Sequence, residues 1–311
     1  MLIDIVIPTV DRDELLRRAI LGVCEQHLSG AEAKIIVIDN SPDGRQRALV
    51  ESIKEPSRSG IEICYEHEAR PGLAYARNRG VAASGGEFVV FLDDDESPIG
   101  DDWLSKLVEA AAQSGADASF GPVVPQFEYA PTRLGEFATA LYSRDARRPD
   151  RSDITDLAPI LGTGNSCFRR QTCFVGDQEP FNHMFDRTGG EDIDLLFRLE
   201  RQGKRFAWAA GAGVYEFVPV SRLTPAYLSD RRFRQGQQRA YLQIAVKPRG
   251  YHALAFWMAV GAAQAAYHLV AALGSRALGR HEAAEQHAVQ YWGGVGKVMW
   301  QAKYRRDHYG V

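Results

Sequence analysis

The stretch FVVFLDDDESP, Phe88 to Pro98, passes directly from five apolar residues into four acids. Apolar residues in an unbroken run fit a strand covered on both faces of a sheet. Carboxylates gathered at its end repel one another, so a cation or several hydrogen-bond donors must meet them. This stretch decides the fold, because strands of the same kind precede it at regular spacing.

Leu2–Ile7 reads as a first strand that ends at Pro8-Thr9, and Asp11 or Asp13 can cap the helix that follows over Leu15–Val23. Ala33–Ile38 is a second strand, closed by Asp39-Asn40-Ser41-Pro42, with a helix over Gln46–Lys54. A third strand is expected over Ile61–His67, a helix over Leu73–Ala83 and a fourth strand over Phe88–Leu92. Alternation of this kind makes βαβ units and a mainly parallel sheet. Ligands of such sheets bind beyond the carboxyl ends of the strands, which makes Pro8, Thr9, Asp39 and Asp93–Asp95 neighbours at one edge. Trp103–Ser114 reads as a helix, Ser119–Val124 as one strand, and Tyr129–Asp156 as a lid or acceptor loop. Beyond Arg222 the chain is expected to be mostly helical.

If the turn after Leu92 stays extended, Asp93 and Asp95 point one way and Asp94 the other. Hard divalent ions such as Mg²⁺ or Mn²⁺ take carboxylate oxygens, often together with substrate phosphates. The bland alternative is an acidic turn that caps the helix at Trp103. Arg70-Pro71-Gly72 and Ala76-Arg77-Asn78-Arg79-Gly80 bring guanidinium groups just ahead of the acidic strand. Gly72 opens a helix whose free N–H groups favour an anion. In GGEDIDLLFRL, Gly189 to Leu199, Glu191 and Asp192 stand at a helix start, where a carboxylate can cap the helix or act as a general base.

The chain resembles the family 2 glycosyltransferases of the GT-A fold. The resemblance rests on a Pro-Thr first strand, an Asp ending the second, G-x-x-x-A-R-N-x-G, F-L-D-D-D and G-E-D before a helix, all in one order over residues 1–220. GTGNSCFRR, Gly162 to Arg170, fits the small-residue strand that carries Asn near the sugar. The implied fold is α/β: a Rossmann-like, mainly parallel sheet flanked by helices. It forms a catalytic domain over 1–220, followed by a basic helical extension over 221–311.

The resemblance implies that Pro8, Thr9, Asp39 and Arg77 meet the nucleotide, with Asp93 and Asp94 on the donor side. Asp95 would bind Mn²⁺ or Mg²⁺, which then brings the missing counter-charge together with the substrate. Asp192 would take the proton from the acceptor hydroxyl, with Glu191, Gly164 and Asn165 in support. Relatives place a His as a further metal ligand where Glu216 stands here. The implied reaction is inverting transfer from a nucleotide sugar, UDP-linked by the family's habit, to a glycan or lipid-linked glycan in bacterial polysaccharide synthesis. The rival readings are a non-catalytic module that binds a nucleotide sugar or a glycan, and a sugar-phosphate nucleotidyltransferase. PTVDRDELL lacks the glycine-rich loop that the latter needs.

Net charge is −3, yet residues 221–311 hold 13 Lys/Arg against 4 Asp/Glu, which leaves the body acidic and the tail basic. Such a tail suits phosphates or a lipid surface. Arg231 and Arg234 are the expected diphosphate contacts, and no nucleic-acid partner is expected. Tyr251 to Leu273 contains no charged residue, but both flanks are basic, which argues against a single span. It is expected to pack on protein or to lie in the interface, and Trp257, Trp292 and Trp300 favour contact with the membrane. The amino terminus reads as a core strand and not as a signal peptide. Cys24, Cys64, Cys167 and Cys173 form no CxxC pair and read as reduced thiols. The expected location is cytoplasmic, peripheral on the inner face of the cytoplasmic membrane.

Overall fold

The computed structural model describes residues 1–28, 30–53, 60–131, 133–176, 179–186, 189–245 and 250–301. Lys54, the expected end of the second helix, and Lys247 and Arg249, the expected basic flank, lie outside the described residues.

The described residues form two compact units: Met1–Gln126 with Tyr142–Phe217, and Phe127–Leu141 with Val218 to Gln301. In the first unit, β1 (Leu2–Thr9), α1 (Asp13–Cys24), β2 (Glu32–Asp39), α2 (Arg47–Ile53), β3 (Glu62–His67), α3 (Leu73–Ala83) and β4 (Phe88–Phe91) alternate as the sequence requires. Then come β5 (Glu96–Pro98), α4 (Trp103–Ser114), β6 (Ala118–Phe120), β7 (Val123–Phe127), α5 (Gly135–Tyr142), which but for its last residue belongs to the second unit, β8 (Ser166–Arg169) and α6 (Arg170–Cys173). After these follow α7 (Glu191–Arg201), β9 (Phe206–Trp208) and β10 (Val214–Val218).

Seven strands form one sheet in the order β3-β2-β1-β4-β8-β6-β9. β3, β2, β1 and β4 are parallel, β8 runs antiparallel to both β4 and β6, and β9 is parallel to β6. The unbroken apolar runs follow from burial on both faces. Ile3, Ile5 and Ile7 pack on one side with Leu16, Ile20, Leu104 and Leu107 of α1 and α4. Val6, Ile36 and Phe91 pack on the other with Ala74, Val81, Leu195 and Leu196 of α3 and α7. The single strand expected over Ser119–Val124 is two strands of different sheets, parted at Gly121-Pro122, where proline has no N–H for a ladder. β7 joins β5 and β10 in a small sheet of order β5-β10-β7.

In the second unit, α8 (Pro225–Ala245), α9 (Tyr251–Ala277) and α10 (His281–Val298) pack together. Arg133 pairs with Glu285 at 3.0 Å, and Leu134 N–H donates to Glu282 Oε1 at 2.8 Å, which ties the loop before α5 to α10.

Candidate active site

The sheet register brings Thr9 of β1 opposite Asp39 of β2. Phe91, the last residue of β4, pairs with Ser166, the first of β8. The strand ends and the Gly162–Asn165 loop therefore share one edge, as the sequence required for Pro8, Thr9, Asp39 and Asp93–Asp95.

Asp93–Asp95 form a tight turn and not an extended segment. Glu96 N–H donates to the Asp93 carbonyl at 3.0 Å, and Asp93 N–H donates to Glu96 Oε2 at 3.0 Å. The expected alternation of the three carboxylates does not hold, because a turn reorients them. Asp93 Oδ1 accepts from Arg77 at 3.1 Å. Asp94 Oδ2 accepts from the Thr9 hydroxyl at 2.9 Å, while Arg12 Nη1 donates to both Asp94 Oδ1, at 2.9 Å, and Asp95 Oδ2, at 3.1 Å. Burial pushes the Asp94 carboxyl up to about 7, against the pull of Arg12.

Arg77 is buried on α3 and also pairs with the buried Glu191. Glu191 opens α7, which Gly189 and Gly190 enter with φ of 70° and 106°. Burial and the neighbouring Asp192 push the Glu191 carboxyl up to about 7. Asp192 itself is partly exposed, and its Oδ1 accepts from Ile193 N–H at 2.7 Å. A methyl group at Gly162 would stand 3.3 Å from Asp192 Oδ2, so that oxygen faces the loop before β8. Loss of water raises the Asp192 carboxyl, and Arg77 offsets part of the rise. Asp194 is buried and takes Arg198 at 3.0 Å, which gives it a role within its own helix.

Three guanidinium groups thus sit among the acids, and the counter-charge expected from a metal alone is in part built into the chain. The third, Arg144, comes from the segment read as a lid or acceptor loop. It donates to the carbonyls of Gly121, Gly162, Gly164 and Asn165 at 2.7–3.0 Å. Burial lowers its pKa, and Glu96, Asp93, Glu216 and Asp192 counter that fall, so it remains a cation. Glu96 is buried beside Asp93 and Glu216, and its carboxyl is raised well above the ordinary value by burial. No motif marks Arg12 or Arg144. The only sequence signal for either is the excess of acids that must be met.

Asp39 is fully buried: Ser41 N–H, Gln46 N–H and the Tyr65 hydroxyl each donate to it at 2.9 Å. It shapes the loop after β2. Asn165 is also buried, at φ 49°, and its amide joins Trp103 Nε1 to the carbonyls of Pro122 and Ala212. Gly72 has φ 145°, and a methyl group there would stand 2.5 Å from Asp186. Asp186 Oδ1 accepts from Ala74 N–H at 2.8 Å, so the anion expected at that helix start is this side chain. Arg231 and Arg234 lie on α8 in the second unit, where Arg234 is buried and donates to Asp230 at 2.9 Å.

Among the described residues, no three carboxylate, imidazole or thiolate groups already stand together as a metal site. The donor chemistry nevertheless fits a hard divalent ion. Phe217 N–H donates to the Asp95 carbonyl at 2.8 Å, and Glu216 is the cross-strand partner of Glu96, so β10 brings Glu216 alongside the turn. A methyl group at Gly164 would stand 2.7 Å from Asp93 Oδ2 and 2.9 Å from Glu96 Oε1. The acids therefore border a space that glycine alone leaves open.

A doubly covered, mainly parallel sheet with acids on an edge turn and a carboxylate at a facing helix start is the arrangement of the GT-A glycosyltransferase fold. The family pattern described as "Glycosyl transferase family 2" matches residues 4–181, and the chain belongs to that family. It is a glycosyltransferase. The chain is 34% identical to the succinoglycan biosynthesis protein ExoM of Rhizobium meliloti, over 80% of this chain and 77% of that one. It is 26% identical to glycosyltransferase AglE of Haloferax volcanii, over 83% and 80%. Its fold is similar to that of the mannosyltransferase PcManGT from Pyrobaculum calidifontis in complex with GDP-Man and Mn²⁺, with a TM-score of 0.60, 20% identity and coverage of 96% and 87%. S. aureus TarS 1–349 in complex with UDP gives a TM-score of 0.55 at 14% identity, over 81% and 68%. These structures share the GT-A fold.

Proposed function

We propose that this protein transfers a sugar from a nucleotide-sugar donor, UDP-linked, to a hydroxyl of a glycan or lipid-linked glycan during bacterial polysaccharide synthesis, with inversion at the anomeric carbon. The catalytic domain is residues 1–220, and 221–311 is a helical extension. One observation carries the reading: Asp192 stands at the start of α7 with its Oδ2 toward Gly162, while Arg77 and Glu191 tie that helix start to Asp93. A single partly exposed carboxylate suits a general base for the acceptor hydroxyl. The similarity to ExoM supports a role in polysaccharide assembly, and the UDP held by TarS supports the choice of nucleotide.

In this reading Thr9 and Arg77 set the donor side of the turn, and Asp39 acts through the loop it shapes. Pro8, one residue before the end of β1, is assigned to the base-binding edge, and Arg231 or Arg234 to the diphosphate. Asp95 and Glu216 would hold Mn²⁺ or Mg²⁺, and Asp93 and Asp94 would face the donor. Such an ion, when bound, neutralises charge on the leaving diphosphate. Asp192 holds the acceptor proton as the oxygen attacks, and Arg144 keeps the Gly162–Asn165 carbonyls in place around the acceptor. α9 carries exposed Phe256, Tyr267, Val270 and Leu273 and is long and apolar enough to cross a membrane; we assign it to peripheral contact with the inner face of the cytoplasmic membrane.

Release of UDP or GDP from a panel of nucleotide sugars, measured with and without Mn²⁺, tests the reading. Metal-dependent release from a UDP-sugar is expected. A preference for GDP-sugars would correct the nucleotide, and no release from any donor would remove the assignment.

A further inference from the structure

Arg12 meets the acidic turn as a bound cation would. One nitrogen, Nη1, is shared by Asp94 Oδ1 and Asp95 Oδ2, at 2.9 and 3.1 Å. The Thr9 hydroxyl takes the other Asp94 oxygen, so Asp94 is fixed to β1. The acids are the buried half of this arrangement: the Asp94 and Asp95 side chains are 7% and 12% exposed, and that of Arg12 is 38% exposed. Arg12 therefore reaches in from the solvent side, from the residue just before α1.

The other two guanidinium groups are differently held. The Arg77 side chain is 3% exposed and spans Asp93 and Glu191, and Arg144 is bound by four backbone carbonyls. Neither can leave without stranding a buried charge. Arg12 is part-exposed, so water meets it along its way out, and a cation that takes its place on Asp94 and Asp95 leaves neither carboxylate unpaired.

We infer that Arg12 is a resident counter-ion of the acidic turn, displaced when a divalent ion and nucleotide bind, and that it then pairs with the diphosphate. The inference rests on the reading of Asp95 as a metal ligand. Arg12 Nη1 lies 3.1 Å from Asp95 Oδ2, so a divalent ion held by Asp95 would bring like charge to the guanidinium's side, and like charges in a partly buried site repel. The diphosphate offers the displaced fork the bidentate oxygen geometry it matches. Arg12 thereby keeps the turn folded before the donor arrives and links metal entry to nucleotide entry.

The test is binding, with Mn²⁺ alone followed by its electron paramagnetic resonance and UDP followed by calorimetry in the presence of Mn²⁺. Arg12→Gln is expected to bind Mn²⁺ alone roughly tenfold tighter than wild type and UDP roughly tenfold weaker, the scale on which one neighbouring charge shifts an ionic equilibrium. Arg12→Lys keeps the charge and should follow wild type for Mn²⁺ alone. A merely structural loss would weaken both affinities. If wild type binds Mn²⁺ with UDP and Arg12→Gln takes Mn²⁺ alone no more tightly, the role of Arg12 is overturned and the metal site stands. If no variant takes Mn²⁺ with or without UDP, both are overturned.

Discussion

Arg77 donates to Asp93 at 3.1 Å and so fastens the acidic turn after β4 to the start of α7, where its other partner is Glu191. In the proposed reading, donor side and base side are thus held by one buried side chain. Replacing it by methionine leaves Glu191 buried without its cation. Loss of one partner of a buried pair costs about 3–5 kcal/mol. Urea unfolding of Arg77→Met should show a loss of that size, and wild-type stability would mean that Glu191 is met by other donors.

Asp192→Asn should lower the turnover number by about 10²–10⁴-fold, the usual contribution of a general base, while calorimetry shows UDP binding unchanged. In the wild type the acid limb of the rate profile should lie above the ordinary aspartate range. Burial raises this carboxyl, the base works only when ionised, and activity therefore rises with pH through its elevated pKa. An acid limb near the ordinary value would place the base elsewhere.

Gly164→Ala tests the space between the acids. The added methyl group would stand 2.7 Å from Asp93 Oδ2, so the carboxylates must move. Displacement on that scale can cost about 10²-fold in rate. Steady-state assays should show this loss while the urea midpoint changes little. Retained activity would show that Asp93 and Glu96 need not keep these positions.

Val270→Asp combined with Leu273→Asp places charge on the exposed side of α9. Flotation with vesicles rich in anionic lipid should recover the wild-type protein and lose most of this variant. Wild-type protein that stays with the soluble fraction would end the membrane assignment.

Much of the scaffold was legible because it is written in local runs. Leu73–Ala83 and Trp103–Ser114 are helices over the expected residues, and each parallel strand from β1 to β4 ends within a residue or two of its reading. The Ser119–Val124 strand was misread because membership of a sheet is a tertiary property that Gly121-Pro122 does not announce. The acids were visible, but their partners were not. Arg12 and Arg144 reach their carboxylates and carbonyls across the fold, from positions that resemble ordinary surface arginines. Asp39 illustrates the converse: its place at a strand end was legible, but its enclosure by Ser41, Gln46 and Tyr65 was not.

The reversal of β8 divides the labour of evolution across this sheet. β1, β2 and β4 deliver their residues as they leave the sheet, whereas β8 receives Gly162–Asn165 as the chain enters it. In the proposed reading, chain added or removed ahead of β8 can reshape what meets the acceptor without altering a connection between the strands assigned to the donor. On that reading, a change ahead of β8 alters which glycan is extended and leaves the nucleotide donor unchanged.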